Sequence, residues 1–273
     1  MLDTQFRMNP ILGDFVSQQF YESIGLDKVK SGRHVDDFTF SSELIDALEY
    51  EGKFYKDNVC QWINVPLSDG KANKRGTSRI RDAEAERIAT EVQHLLSAAG
   101  NSLSIGVITF YAAQRDLIME KLATKQVNGI PLMVKREGQY EPHDEFKWAV
   151  KKKSDGTIDK EEGLRVGSVD AFQGKEFDVV LLSCVRTWQK HGLESVKPED
   201  NKKSSNDRYE SKLNRMFGFL RLPNRMNVAM SRQRQMLICV GDPELVTNEC
   251  AQEGVPALKA FYELCGGQYG CIR

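Results

Sequence analysis

The sequence predicts an α/β fold in which a mostly parallel sheet carries helices on both faces, so that the domain has three layers. Residues 164–169 and 179–182 are short apolar runs rich in Val and Leu, and residues 236–240 form a third. Such runs, bounded by polar or glycine-bearing segments, are typical of strands buried on both faces of a parallel sheet. A polar segment, residues 170–176, follows the first run. We expect it at an end of the sheet, where open α/β folds place ligands.

Apolar spacing predicts the remaining elements. Asp82 is a suitable N-cap and Gly100 a suitable terminator for the longest helix, because a short carboxylate accepts free amide protons and glycine tolerates the turn that ends a helix. Pro223 is a favourable first residue for a later helix. Strands are predicted over residues 61–65 and 105–110, and helices over residues 11–21, 41–49, 82–98, 111–122 and 257–264.

The composition is that of a globular protein. The chain has 273 residues, of which 28% are charged and 40% hydrophobic, enough for a substantial core. Its net charge of −1 disfavours nucleic-acid binding by bulk charge, but a local basic groove stays open because phosphate affinity depends on local charge. No apolar run approaches the ~20 residues that span a bilayer, and no signal peptide opens the chain. We expect a cytoplasmic or nuclear protein without a membrane partner.

The six cysteines form no CxxC pair. Cys184 and Cys239 adjoin apolar runs and are expected to be small buried hydrophobes. Cys265 and Cys271 leave a disulfide or a metal site open, but reduced thiols are the simpler interpretation for an intracellular chain. We assign no metal ligand.

Four polar motifs carry the strongest functional signal. In chain order they are QFRMNP at residues 5–10, IGVITFY at 105–111, VDAFQGKE at 169–176 and NVAMSR at 227–232. They resemble the later motifs of superfamily 1 helicases, especially the branch of the nonsense-decay factors and senataxin. The resemblance spans most of the chain. It implies that residues 1–273 form one domain, the second RecA-like domain of a larger ATP-dependent helicase that acts on RNA or DNA.

The resemblance also implies a nucleotide site. In the family, the arginine matched by Arg7 reaches the γ-phosphate and the arginine matched by Arg232 is an arginine finger, so both are candidate catalytic residues. A planar, permanently charged guanidinium suits phosphate oxygens. The acid matched by Glu176 bonds the nucleotide sugar, and a carboxylate accepts two hydroxyl bonds at once. Gly174 permits a turn close to the ligand, and Gln5 completes the site.

A nucleic-acid channel is implied at Thr109, Tyr111, Ser168, Asp170 and Gln173. A hydroxyl at a strand end bonds a phosphate oxygen, and an aromatic ring stacks on a base. The last three residues would link the nucleotide side to the nucleic-acid side. Structural roles stay open beside these: Tyr111 at the edge of the core, and Asp170 and Gln173 as helix-capping or loop-bonding residues.

Two charged segments, residues 131–163 and 188–215, are expected to be insertions into the domain. The first is expected to be a packed flap with a hairpin tip at residues 151–156. Phe146 and Trp148 stand beside lysines, which leaves a nucleic-acid contact open. The second segment is expected to be mobile.

Three further basic features have open interpretations. Residues 68–78 contain two glycines together with Lys71, Lys74 and Arg75. A solvated loop and a contact with nucleic-acid phosphates are equally compatible with that composition. Arg225 and Arg234 are expected to be ion-pair or surface arginines.

The sequence contains no G-x-x-x-x-G-K-[ST] motif and no strand-borne acidic pair of the kind that holds Mg²⁺. Motors of this class need a P-loop lysine and hydroxyl for the phosphates and the metal. The expected ligands are therefore ATP with Mg²⁺, the metal being held by a first RecA-like domain of the same parent protein, and single-stranded RNA or DNA. Alone, the chain is expected to hydrolyse ATP negligibly. The alternative is an inert helicase-like module that binds nucleic acid or protein, against which the joint presence of Arg7, Glu176 and Arg232 argues.

Overall fold

A parallel sheet of six strands forms the centre of the computed structural model, which describes residues 3–152, 156–189 and 205–273. In chain order the strands are β1 (Cys60–Asn64), β2 (Ile105–Thr109), β3 (Leu164–Ser168), β4 (Phe177–Ser183), β5 (Gln233–Gly241) and β6 (Gly270–Ile272). Their spatial order is β3-β2-β4-β5-β1-β6, and every neighbouring pair is parallel. The prediction of a parallel sheet is therefore confirmed.

Helices cover both faces of this sheet, which gives the three layers of a RecA-like α/β fold. In chain order the helices are α1 (Pro10–Phe20), α2 (Ser42–Ala47), α3 (Asp82–Ala99), α4 (Ala112–Ala123), α5 (Ser205–Phe217), α6 (Pro223–Met230), α7 (Glu244–Thr247), α8 (Ala251–Gly254) and α9 (Pro256–Cys265). Successive residues of β4 point to opposite faces of the sheet: Val180 and Leu182 pack in the core with α1, α5, α6 and α9, and Val179 and Leu181 pack in the core with α3 and α4.

Short elements join these layers. The 3₁₀ turns are Glu22–Ile24, Val35–Phe38, Glu49–Phe54, Leu67–Asp69, Val169–Phe172 and Gly218–Arg221. Small strand pairs are Thr4–Gln5 with Lys30–Ser31, Asn73–Arg75 with Ser78–Ile80, Gln126–Val127 with Ile130–Pro131, Met133–Arg136 with Gln139–Pro142, and Trp148–Lys152 with Ile158–Glu162.

One predicted helix cap is wrong. Helix α3 begins at Asp82, and the preceding Arg81 occupies the N-cap position without a side-chain cap bond. The carboxylate of Asp82 instead lies 2.9 Å from the ammonium of Lys121 on α4. The predicted terminator is confirmed, because Gly100 follows α3 with φ +58°.

The first charged insertion is largely hairpin. Met133–Arg136 pairs with Gln139–Pro142, and Trp148–Lys152 pairs with Ile158–Glu162, both antiparallel. Of the predicted tip, residues 151–156, the first two end the strand Trp148–Lys152 and residues 153–155 lie outside the described residues. Phe146 is buried between the two hairpins, whereas Trp148 is 49% exposed. Only Trp148 is therefore free to contact a ligand through its ring.

The second segment differs from the expectation in its later part. Residues 190–204, on which the prediction of mobility mainly falls, lie outside the described residues. Residues 205–217 form α5, which buries Leu213 and Phe217 in the core. The later part of the predicted insertion of residues 188–215 thus includes a packed helix, because apolar residues at helical spacing are embedded among its charges.

The chain crosses one face of the sheet between β3 and β4, because these strands are parallel and the connection is short. We call residues 169–176 the crossing segment. A Cβ atom on Gly106 would lie 2.8 Å from ring atoms of both Phe172 and Phe177, and one on Gly167 would lie 3.0 Å from Phe172. The two glycines therefore leave the space in which the crossing segment packs onto the sheet.

We expect Gly106→Ala to lower the free energy of unfolding by about 1–3 kcal/mol, because the added methyl group overpacks the core beneath Phe172. Urea denaturation monitored by circular dichroism measures this. Gly266→Ala is the matched control, since its Cβ would have no neighbour closer than 3.4 Å and should change stability by less than about 0.5 kcal/mol. Equal losses in both variants would show that the close packing is not the cause.

Candidate functional site

Two arginines and a glutamate meet at the amino edge of the sheet. Glu176 directly precedes β4 and Arg232 directly precedes β5, and the amide of Phe177 donates a 2.9 Å hydrogen bond to the carbonyl of Arg232. Arg7 donates through Nε to Glu176 Oε2 at 2.9 Å and through Nη1 to the carbonyl of Ser231 at 3.2 Å. The polar cluster thus lies at a sheet end, but at the edge opposite to the one where open α/β folds usually place ligands.

Local hydrogen bonds shape the loop that carries Arg7. The Gln5 amide brackets Met8, accepting from its N–H at 2.8 Å and donating to its carbonyl at 3.0 Å. The amide of Asn9 donates to the carbonyl of Arg234 at 2.8 Å, which fastens the loop to β5. Both amide atoms of Gln5 are engaged in this way, so in this structure Gln5 positions Arg7.

Arg232 is hydrogen-bonded to uncharged groups, although the charge of Glu176 acts on it at longer range. Its Nε donates to the carbonyl of Val228 at 3.0 Å and its Nη2 to Ser231 Oγ at 2.9 Å. No carboxylate in the part of the chain that the structure describes forms an ion pair with it. Burial lowers the pKa of the Arg232 guanidinium, and the nearby charge of Arg7 lowers it further. Gly174, two residues before Glu176, has φ +76° and no atom within 4 Å of the position that a Cβ would take.

A third arginine, Arg234, extends the cluster, and sequence reasoning gave it no site role. It donates to Asp178 at 3.0 Å, to Glu161 at 2.7 Å and to Glu176 at 3.4 Å. The buried Asp178 also pairs with Lys151. Although burial opposes its ionisation, the charges of Arg234 and Lys151 lower the pKa of Asp178. These contacts fasten the second inserted hairpin to the amino edge and confirm Arg234 as an ion-pair residue.

Thr109 and Tyr111 lie inside the domain, at the carboxyl edge of the sheet. Thr109 ends β2 fully buried, and its hydroxyl accepts a 3.4 Å hydrogen bond from the Tyr111 amide. The Tyr111 ring is buried as well and packs 5.4 Å from the ring of Phe219. Of these two rings, Phe219 is the one that solvent reaches, with 46% of its surface exposed.

The other predicted nucleic-acid residues are more accessible. Ser168 ends β3 and is half-buried, while Asp170 and Gln173 are exposed on the crossing segment. Asp170 pairs with Arg225, whose guanidinium lies 5.5 Å from the ring of Phe219. Arg225 is thus confirmed as an ion-pair residue, and this pair connects the crossing segment to the exposed ring.

A buried ion network underlies the carboxyl edge, and no motif predicted it. Glu84 accepts hydrogen bonds from Ser183 Oγ at 2.6 Å and from the amide of Val185 at 2.8 Å. Arg81 lies 3.4 Å from the same carboxylate and donates to the carbonyl of Val65 at 2.6 Å. Burial raises the pKa of Glu84 to about 7, although Arg81 and Ser183 oppose the shift. The network fixes the chain where it leaves β4.

Disulfides, metal clusters and membrane-spanning helices are absent from the described residues. All six cysteines are free thiols, and five of them are buried. No group of three or more His, Cys, Asp or Glu side chains within residues 3–152, 156–189 and 205–273 is arranged to hold a metal ion. Over the same ranges, no helix combines the length and the apolar character needed to cross a bilayer.

Comparison with known proteins assigns the chain to a protein family. The AAA_12 profile, described as an AAA domain, matches residues 1–244. The regulator of nonsense transcripts 1 homolog of Neurospora crassa is 26% identical over 90% of this chain and 17% of its own length. The ATP-dependent helicase NAM7 of Saccharomyces cerevisiae is 27% identical over 89% of this chain and 18% of its own. The ATP-dependent helicase upf1 of Schizosaccharomyces pombe is 24% identical over 90% of this chain and 20% of its own length. The chain therefore spans a fifth or less of these relatives.

We expect the stability of the protein to fall as the pH rises because of Glu84. Its pKa of about 7 in the folded state exceeds the ordinary value of 4.5, so the folded state binds this proton more tightly. The contribution is complete below pH ~4.5 and is lost as the pH rises through ~7, on the order of 3 kcal/mol. Urea unfolding at both pH values should show a smaller fall in Glu84→Gln than in the wild type.

Glu86→Gln is the control for this pH dependence. It lies on the same helix, but Lys125 lowers the pKa of Glu86, so its titration lies below the pH window. This variant should keep the wild-type fall. An identical pH dependence in the wild type and Glu84→Gln would refute the role of Glu84.

Proposed function

The chain belongs to the AAA_12 family, and we propose on that basis that it is the second motor domain of a superfamily 1 helicase. Its relatives include proteins named ATP-dependent helicases. Arg232 supports the proposal most directly, because it stands without an acidic partner in the described structure, beside Arg7 at one sheet edge. A pair of guanidiniums, one of which forms no ion pair among the described residues, suits a polyphosphate.

The residues at the amino edge would divide the work on ATP. Arg232 would be the arginine finger, whose fixed fork stabilises the charge that spreads over the γ-phosphate during transfer. Arg7 would contact the same phosphate. Glu176 would accept hydrogen bonds from the sugar, and the open space at Gly174 would admit the ligand. Mg²⁺ would be held by the partner P-loop domain, since this sequence has no motif for it.

The crossing segment would connect the two ligands. It begins after β3 at the carboxyl edge, with Asp170 and Gln173 exposed, and ends with Glu176 at the amino edge. Closure and opening of the cleft against the first domain would therefore act on both ends of one short piece of chain. That is the geometry needed for a gating cycle that advances a single strand of RNA or DNA.

The isolated chain would not turn over ATP. The sequence has no P-loop, and the phosphates and metal of this class of motor are held by that loop. The chain would become active when joined to a first RecA-like domain of its parent protein. The helicase would be the assembled pair, and this chain would supply one wall of its cleft.

We expect Arg232→Ala to lower kcat for ATP about 10³-fold or more in the chain joined to its P-loop domain, because the charge on the transferred phosphate loses its stabiliser. Steady-state hydrolysis with and without single-stranded RNA or DNA measures this, and the strand that stimulates it identifies the substrate. Arg136→Ala is the control, because that arginine is held in an exposed ion pair with Asp144 on an inserted hairpin.

Each outcome of this experiment decides between roles. Strand-stimulated hydrolysis that is lost in Arg232→Ala and kept in Arg136→Ala supports the motor. Hydrolysis that is indifferent to Arg232 removes the arginine finger from the proposal. No hydrolysis by the joined protein would favour the inert binding module instead.

A further inference from the structure

A basic hairpin stands at the carboxyl edge of the sheet. Its strands, Asn73–Arg75 and Ser78–Ile80, pair antiparallel, and Ser78 Oγ accepts a 3.2 Å hydrogen bond from the amide of Ala113 in the first turn of α4. The next residue, Arg79, is half-buried and has no ion-pair partner among the described residues. The hairpin thus holds a free guanidinium close to the start of a helix, where the helix dipole is positive.

A second guanidinium without an ion pair in the described structure lies on the segment beside the hairpin, where the amide of Ala72 donates a 3.5 Å hydrogen bond to Thr187 Oγ1. Arg186 follows β4 and is only 7% exposed, and its guanidinium lies 5.9 Å from the centre of the Tyr111 ring. Its Nη2 donates to the carbonyl of Arg215 at 2.9 Å, but its buried Nε has no hydrogen-bond partner in the described part of the chain. A buried charge normally has a partner, because its desolvation is otherwise costly. Arg186 is therefore a candidate for binding an anion.

The two arginines act on each other. Burial lowers the pKa of Arg186, Tyr111 opposes that shift, and the charge of Arg79 lowers the pKa further. By contrast, Arg225, Arg234 and Arg273 all have carboxylate partners. Two like charges held together without an acid are unfavourable in the free domain, and an anion between them would relieve the repulsion.

We propose that Arg79 and Arg186 bind one backbone phosphate of the nucleic-acid strand, beside the first turn of α4. Lys71 and Lys74, both exposed near the hairpin, would contact neighbouring phosphates. The exposed ring of Phe219, 5.4 Å from Tyr111, would stack on a base next to that phosphate. The inference rests on the proposed function and adds to it a strand contact outside the four motifs.

Strand binding by the 273-residue chain tests the site, with a fluorescein-labelled oligouridylate and an oligodeoxythymidylate as probes in fluorescence anisotropy. We expect Arg79→Gln to bind about tenfold more weakly. The slope of log Kobs against log salt should become shallower by about 0.7, as for one lost phosphate contact on a single strand. Arg136→Gln removes the same charge from an exposed ion pair elsewhere and should match the wild type in both measurements.

A second variant separates binding from folding. Arg186→Lys keeps the buried charge but loses the fork, and circular dichroism checks its fold. Its effect on affinity should add incompletely to that of Arg79→Gln, because both residues hold one phosphate. Full additivity in a folded double variant would mean that the two arginines bind separately, which would overturn the shared site.

Other outcomes also overturn the inference. Unchanged affinity and salt slope in Arg79→Gln would exclude a phosphate contact there. Displacement of the strand by inorganic phosphate at constant ionic strength, in the wild type only, would indicate a small-anion site. Arg79-dependent binding of polyglutamate in preference to either strand would indicate an acidic polypeptide partner. If the wild-type chain binds neither strand, the site is refuted, while ATP hydrolysis by the joined protein still decides the motor assignment.

Discussion

The ion network at the amino edge of the sheet holds together parts of the chain that are far apart in sequence. Glu176 is shared by Arg7 and Arg234, and Arg234 in turn reaches Asp178 and Glu161. The pair of Arg7 and Glu176 has side chains that are 33% and 45% exposed, so it contributes little to stability and is readily exchanged for a ligand. The bonds of Arg234 to buried Asp178 are the fixed support. These bonds thus support the exposed pair of Arg7 and Glu176.

The direction of the strands decides where the two ligand surfaces lie. Because β3 and β4 are parallel, the chain between them has to return across the sheet, and it does so over Gly106 and Gly167. Its first residues face the carboxyl edge and its last face the amino edge. The proposed nucleotide and strand surfaces are therefore on opposite edges of one sheet, joined by eight residues, 169–176. A shift of Glu176 on the proposed nucleotide binding would therefore reach Asp170 through the few residues of the crossing segment that separate them.

Much of the fold, but less of the site, follows from the sequence. Apolar runs of strand length predict the buried strands, because a strand covered on both faces has no polar side. The edge at which Glu176 and Arg232 lie does not follow, because it depends on which residues precede a strand and on the order of strands in space. The role of Arg234 depends on Glu161, from an inserted hairpin. The sequence carries one local signal for this ion network: Asp178 is a single acid at the start of the apolar run FDVVLLS.

Charge pairing separates the arginines of this domain more clearly than sequence position does. A net charge of −1 conceals the difference, because it does not show which arginines of the described structure have a carboxylate partner, as Arg225, Arg234 and Arg273 do. Within the described residues, no ion pair is formed by Arg232 at the amino edge or by Arg79 and Arg186 at the carboxyl edge. Both proposed ligands are polyanions, and a charge that is desolvated without an ionic partner is costly, most of all for the buried Arg186. The two proposed sites therefore rest on the same physical principle, at the amino edge for ATP and at the carboxyl edge for the strand.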